Sequence, residues 1–346
     1  MARATIKSIA KKTGYSVGTV SNALRDAPSV KQETRDEIHK AATALGYRVN
    51  LDGLKLRTNK SYRIAVLVSV SEDAAEEWEG VEFTRILAGI SKAVQGSRYQ
   101  LSVFSTSGDD TELKTLRSIV QEGLADGVIF SGTRVNDPRI AYLQAEAFPF
   151  VTYGMSSSDL PHAYVDLDSE TAAFEATARL IGLGHRRIAL INPPDDLVYA
   201  LQRRRGYADA LSEGALGFDP TLIATGPTTA ETGQTAFAAL MQLPKPPSAI
   251  ICANEAMTLG ALSAAAKQGV RVGQDVVVIS NDDLKLSQYF VPPPSTYYLP
   301  IGETSRLLGE FMLQVLAGAN PSEIQKKIRA QLIERQPDTP PPEPAI

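Results

Sequence analysis

Between residues 5 and 45 apolar side chains recur at three- and four-residue intervals: Ile6, Ile9 and Ala10, then Val17, Val20 and Leu24, then Ile38, Ala41, Ala42 and Leu45. Nothing there alternates in the two-residue rhythm of a strand, so three short helices are predicted. Thr5 and Ser16 stand where N-caps are expected. Only Thr13-Gly14-Tyr15 separates the first two helices, the length of the turn in a helix-turn-helix. The third helix follows Asp26-Ala27-Pro28-Ser29-Val30 and ends at Gly46. From Tyr62 the pattern changes to short apolar runs, at 64–68, 101–104, 127–130, 150–153, 188–191, 222–224, 249–252 and 276–279. They alternate with helical stretches at 83–94, 113–122, 169–180, 206–213, 232–241 and 256–267. Such alternation predicts doubly wound parallel sheets with helices on both faces, and eight strand units suit two lobes better than one sheet.

Charge adds a partner to this picture. The chain of 346 residues carries a formal charge of −4, yet residues 1–60 hold twelve Lys/Arg against five Asp/Glu, a local +7 that leaves −11 for the rest. A basic helical head on an acidic body points to DNA. In a helix-turn-helix the second helix enters the major groove. Val17 and Gly18 lead that helix and Asn22 follows four residues after Gly18; Asn22 can pair bidentately with adenine and Val17 can touch a thymine methyl, while Ser16, Thr19 and Ser21 can reach phosphates. A three-helix domain that binds protein, with its Ser and Thr serving only as caps, is the alternative.

No apolar segment follows the first residues and none approaches 18 apolar positions, so a soluble, cytoplasmic protein without membrane contact is expected. The single cysteine, Cys252, lies in an apolar run and reads as a buried, inert thiol. Dinucleotide loops, a P-loop lysine and a nucleophile elbow are absent, and His39, His162 and His185 are dispersed, with His162 expected in a loop. Neither catalysis nor a cofactor or metal is expected.

The string Thr5-Ile6-x-x-Ile9-Ala10-x-x-x-Gly14-x-Ser16-x-x-Thr19-Val20-Ser21-Asn22-Ala23-Leu24, with Glu33-Thr34-Arg35 and Leu45-Gly46-Tyr47, closely resembles the head of the LacI/GalR family of bacterial transcription regulators. The resemblance continues to about Arg335 through Val165-Asp166-x-Asp168, Leu183-Gly184-His185-Arg186-Arg187-Ile188, Arg203-x-x-Gly206-Tyr207 and Ala253-Asn254-Glu255-x-Met257-x-x-Gly260-Ala261. It implies a homodimeric repressor, cytoplasmic and nucleoid-associated, on a near-palindromic double-stranded operator. Residues 1–48 would form the DNA-binding domain and 49–60 a hinge helix. Residues 61–335 would form a periplasmic-binding-protein-like effector and dimerisation core of two discontinuous lobes, with crossovers near 165, 292 and 320. Residues 336–346, with five prolines, read as a disordered tail without the leucine heptads of a tetramerising coiled coil.

The resemblance adds Ser29, Tyr47 and Asn50 to the expected DNA contacts. It also makes Leu56, with Arg57 beside it, the hinge residue that wedges into a minor-groove base step. Val49, Gly53 and Leu54 depart from the family's usual proline, alanine and arginine. Glycine costs about 1 kcal/mol of helix propensity relative to alanine, so a hinge that folds less readily is expected, with a flexible tether as the alternative.

For the effector, the resemblance implies Arg203, expected at the head of a helix, and Asp282 after a strand. Together they would supply donors and acceptors to a sugar or sugar derivative. Phe83, Tyr153, Tyr199, Thr228 and Asn254 complete the expected cleft, and Met155 and Leu299 stand where the family is often polar. A nucleobase or nucleoside effector is the alternative, with Thr228 in place of a stacking aromatic counting against it. A sugar-binding or sugar-processing protein without a DNA role is a third. The insert 71–80 carries five acids and the only tryptophan, Trp78, as a surface loop or a lid over the effector.

Overall fold

The computed structural model describes residues 4–24, 27–47, 58, 60–69, 79–107, 109–156, 161–281 and 284–335. Contacts divide the chain into two compact units, Met1–Ser61 and Tyr62–Ile346. The expected hinge contacts Asn50, Leu56 and Arg57, the effector acid Asp282, Trp78 and the proline-rich tail lie outside the described residues.

In the first unit, α1 (Ile6–Thr13), α2 (Val17–Ala23) and α3 (Gln32–Ala44) follow the predicted spacing. Thr5 Oγ1 accepts the Ser8 amide while Ser8 Oγ accepts the Thr5 amide, a reciprocal cap. Gly14 makes the turn at φ +76°, a left-handed conformation that a side chain would strain. Ile9, Val20, Ala23 and Ile38 close the small core. The Arg35 guanidinium donates to the carbonyls of Ala27 and Val30, both at 3.1 Å, and so pins the α2–α3 connection.

The second unit contains two six-stranded sheets. Sheet one runs β11-β5-β4-β3-β1-β2 and sheet two β12-β10-β9-β8-β6-β7. The strands are β1 (Arg63–Ser69), β2 (Gln100–Thr106), β3 (Gly127–Ser131), β4 (Phe150–Tyr153), β5 (Ala163–Leu167), β6 (Ile188–Asn192), β7 (Ile223–Thr225), β8 (Ala249–Cys252), β9 (Val277–Ser280), β10 (Ser295–Tyr298), β11 (Gln325–Ile328) and β12 (Gln331–Ile333). All pairings are parallel except β10 with β12. On sheet one, α4 (Glu79–Val94) and α11 (Ile301–Leu316) cover one face, and α5 (Asp109–Gln121) and α6 (Pro138–Ala145) the other. On sheet two, α7 (Ser169–Gly182) and α8 (Val198–Glu213) oppose α9 (Ala230–Met241) and α10 (Glu255–Gln268). Each lobe is therefore doubly wound, as the alternation predicts.

Four strands escape the sequence pattern: β5, β10, β11 and β12. So do α6 and α11. The chain passes between lobes after β5, between β10 and α11, and between β11 and β12. The first crossing falls near the expected 165. The other two correct the expected 292 and 320, because Ser295–Tyr298 still pairs with β9 in sheet two and Gln325–Ile328 with β5 in sheet one. Helix α8 begins eight residues before the predicted 206, which puts Arg203 inside the helix and not at its head.

Helices α9 and α10 touch backbone to backbone. A Cβ on Gly233 would lie 1.9 Å from the Met257 carbonyl oxygen, and one on Gly260 1.8 Å from that of Ala230. Among the described residues no helix is long and apolar enough to cross a membrane.

Candidate functional site

The α2 helix presents its N-terminal end outward. Ser16, Val17 and Gly18 are exposed, with Val17 at 48% exposure, while Thr19, Ser21 and Asn22 are half-buried. Ser16 Oγ accepts the Thr19 amide at 3.0 Å and lies 2.9 Å from the Thr19 hydroxyl, so the cap also orients the first turn. The buried residues Val20 and Ala23 hold the opposite face. Thr5 and Ser29 are exposed at the starts of α1 and of the segment leading to α3. Tyr47 is half-buried and packs against the head core.

In the second unit, a cavity of about 310 Å³ lies between the lobes at the carboxyl ends of strands from both sheets, where doubly wound folds place ligands. Six of the seven effector residues expected from sequence line it: Phe83, Tyr153, Tyr199, Arg203, Thr228 and Asn254. Leu299 lines it too; Met155 does not.

Arg203 is only 2% exposed. Its Nη1 donates to Asn192 Oδ1 at 3.3 Å, and its guanidinium lies 5.6 Å from the Tyr199 ring centre. The Asn192 amide in turn donates to the Ala200 carbonyl, so β6 and α8 fix the arginine from both sides. Asn254 caps α10 through the Met257 amide and donates to the Thr228 carbonyl at 3.2 Å. Next to it, the buried Glu255 accepts the amides of Leu284, Leu286 and Ser287 and the Ser287 hydroxyl, at 2.5 to 2.8 Å. It anchors the segment that follows Asp282.

Four further carboxylate and arginine positions on the wall were not anticipated as site residues: Glu82, Glu112, Arg134 and Asp166. Asp166 accepts the Met155 amide and Gln202 Nε2, and burial pushes its carboxyl above the usual carboxylate range. Asp168 caps α7 by accepting the Thr171 amide. Glu112 is held by Arg139 at 2.8 Å and Arg134 at 3.3 Å, and Arg139 is clamped by Asp137 at 2.6 Å. Glu255 was visible as the neighbour of Asn254. Glu112 carried no sequence signal, because its partners lie 22 and 27 positions away.

The lobes also meet directly beside the cavity. The Val135 amide donates to the Asp196 carbonyl and the Val198 amide to the Thr133 carbonyl, both at 2.9 Å. This makes a short antiparallel bridge between Arg134 and Leu197. Arg85 on α4 donates to the Leu284 carbonyl at 2.7 Å.

His162, His185 and Cys252 do not line the cavity. His162 lies in the loop immediately before β5, as expected, but is 3% exposed, stacks on Phe150 and lies 2.8 Å from Thr152 Oγ1. The Thr152 hydroxyl already donates to the Gly154 carbonyl, so His162 Nε2 carries the proton. His185 is buried against Ser248, and burial pushes the Cys252 thiol up to about 12.

Residues 5–50 match the lacI family of bacterial regulatory proteins and residues 177–336 the periplasmic binding protein-like domain. The chain is 32% identical over 343 residues to the HTH-type transcriptional regulator AglR of Rhizobium meliloti (strain 1021), covering 98% of this chain and 95% of AglR. It belongs to the LacI family of transcriptional regulators. The HTH-type transcriptional repressor CytR of Escherichia coli (strain K12) is 31% identical over 332 residues, covering 96% of this chain and 95% of CytR. Among solved structures, a complex of the transcriptional regulator CelR with cellobiose has a TM-score of 0.72 at 25% identity, covering 96% of this chain and 99% of that one. The Lac repressor dimer bound to operator reaches a TM-score of 0.82 at 23% identity, covering 98% and 100%, and shows the shared fold. LacI-family proteins of this kind are regulators and not enzymes.

Proposed function

We propose that this LacI-family regulator is a homodimeric repressor acting in the cytoplasm at the nucleoid, and that its operator affinity is set by a sugar or sugar derivative held between the core lobes. The observation that carries the effector reading is the single cavity that unites Phe83, Tyr153, Tyr199, Arg203, Thr228 and Asn254 from both lobes. The CelR complex with cellobiose supports a sugar as the class of ligand. Arg203 donates to effector hydroxyls from lobe two, and Asp282 accepts from them. In the head, Val17, Gly18 and Asn22 read base edges, and Thr5, Ser16, Thr19, Ser21, Ser29 and Tyr47 meet the backbone. The hinge residues Asn50, Leu56 and Arg57 enter the minor groove. Effector binding shifts the population of lobe closures and so the register of the two heads.

Gel shifts of the full chain on palindromic segments of its own promoter region test the DNA half. A specific complex with a steep salt slope is expected. Absence of any specific complex at low salt rejects it. Isothermal titration with sugars tests the other half: Arg203→Ala is expected to lower affinity by about 100-fold, the scale of a lost hydrogen bond to a charged group. An unchanged affinity removes Arg203 from the site.

A further inference from the structure

Three buried carboxylates line the effector cavity, and their hydrogen bonds separate them. Glu255 uses both oxygens on the 284–287 segment. Asp166 uses one on the Met155 amide and the other on Gln202. Glu112 differs: Arg134 and Arg139 both donate to Oε2, and Oε1 accepts no hydrogen bond from the described residues, although the residue is 1% exposed and faces the cavity. Glu112 lines the cavity with this oxygen uncommitted to donors among the described residues, so a ligand hydroxyl can supply one.

The surroundings hold this carboxylate rigidly. Arg139, 3% exposed, is fixed by Asp137 through Nε and Nη2 and donates to the carbonyls of Ser131 and Gly132 at the end of β3. Glu112 and Asp137 carry two negative charges and Arg134 and Arg139 two positive ones. With Asp196 3.8 Å from Arg134, the cluster sets three acids against two arginines, a net negative charge that disfavours an anionic ligand. An incoming carboxylate or phosphate would meet an acceptor-only oxygen and be repelled.

We infer that Glu112 is an effector-contacting residue on the lobe-one wall, that its Oε1 accepts a hydroxyl of the ligand, and that it selects uncharged, hydroxyl-rich effectors against uronates and phosphorylated sugars. The inference rests on the sugar reading above and sharpens it to a neutral sugar. Arg203 then donates from lobe two while Glu112 accepts from lobe one, so the two walls make complementary demands on one polyol.

Isothermal titration of the full chain with maltose, cellobiose, sucrose, melibiose, glucuronate, galacturonate and cytidine tests this, with Glu112→Gln and Glu112→Asp titrated in parallel. Gln turns an acceptor toward the cavity into a competing donor. Asp keeps the charge on the arginines but withdraws it by one methylene, and decides the matter if the Gln variant does not fold. At least one neutral sugar is expected to bind, the uronates at least 10-fold more weakly, and each folded variant to lose at least 10-fold for that sugar. A sugar held equally by wild type and folded variants, or a uronate held as tightly as the best neutral sugar, overturns the role of Glu112 alone. Wild type that binds only cytidine, or nothing in the panel, overturns the sugar reading and this inference with it.

Discussion

The head and the effector core both put polar side chains to use, but they expose them to different extents. On α2 the contact candidates are exposed or half-buried, short and capped locally. In the core Arg139, Asp137, Glu112 and Arg203 are each at most 5% exposed, so protein or ligand groups and not bulk solvent must meet their polar atoms. The contrast teaches where the cost of a lost partner falls. A substitution in the head should change recognition with little effect on folding, and one in the core should change folding, effector binding or both.

The largest effect expected from this difference is at Arg139. Arg139→Met leaves Asp137 and Glu112 facing each other without their shared cation and should destabilise the core by about 3–5 kcal/mol, measured by urea unfolding. Stability within 1 kcal/mol of wild type would show that the buried cluster adjusts as readily as an exposed one. Next comes acid sensitivity. Burial lowers His162 from its ordinary 6.5 to about 4, against the smaller opposing pull of Asp137. The folded chain therefore resists a proton that the unfolded chain takes up. The contribution is complete above about pH 6.5 and is lost as pH falls toward 4, by up to roughly 3 kcal/mol. Urea midpoints at pH 7 and 4.5 should differ less in His162→Gln than in wild type; equal differences would remove His162 from the cause.

Smaller effects belong to the head. Asn22→Ala should weaken specific operator binding by about 1–3 kcal/mol and leave nonspecific binding unchanged, read by gel shift against competitor DNA. Ser16→Ala removes the α2 cap and should cost about 1 kcal/mol of head stability in thermal unfolding. A much larger loss would mean that the exposed helix is as tightly integrated as the core.

The same contrast explains what was legible in sequence. Helix spacing in the head and the apolar cores of β1, β3, β6, β8 and β9 are local patterns. The missed strands have no such pattern: β11 is Gln325-Lys326-Lys327-Ile328, an exposed edge whose pairing with β5 is a property of the fold. α8 starts early because Val198 and Ala200 are buried directly after the Pro193-Pro194 turn, a contact that periodicity within 206–213 does not contain. The cleft residues were legible through motif resemblance. Glu112 was not, because its chemistry arises only when α5 meets the loop after β3.

The glycine contact between α9 and α10 has a mechanical consequence. Two helices joined main chain to main chain leave no layer of side chains to slide on, so that half of lobe two is a stiff plate. Strain applied by a ligand at Thr228 or Asn254, which stand at the starts of these two helices, is not dissipated by their slipping past one another. The motion is left to the three connections between the lobes, after β5, between β10 and α11 and between β11 and β12.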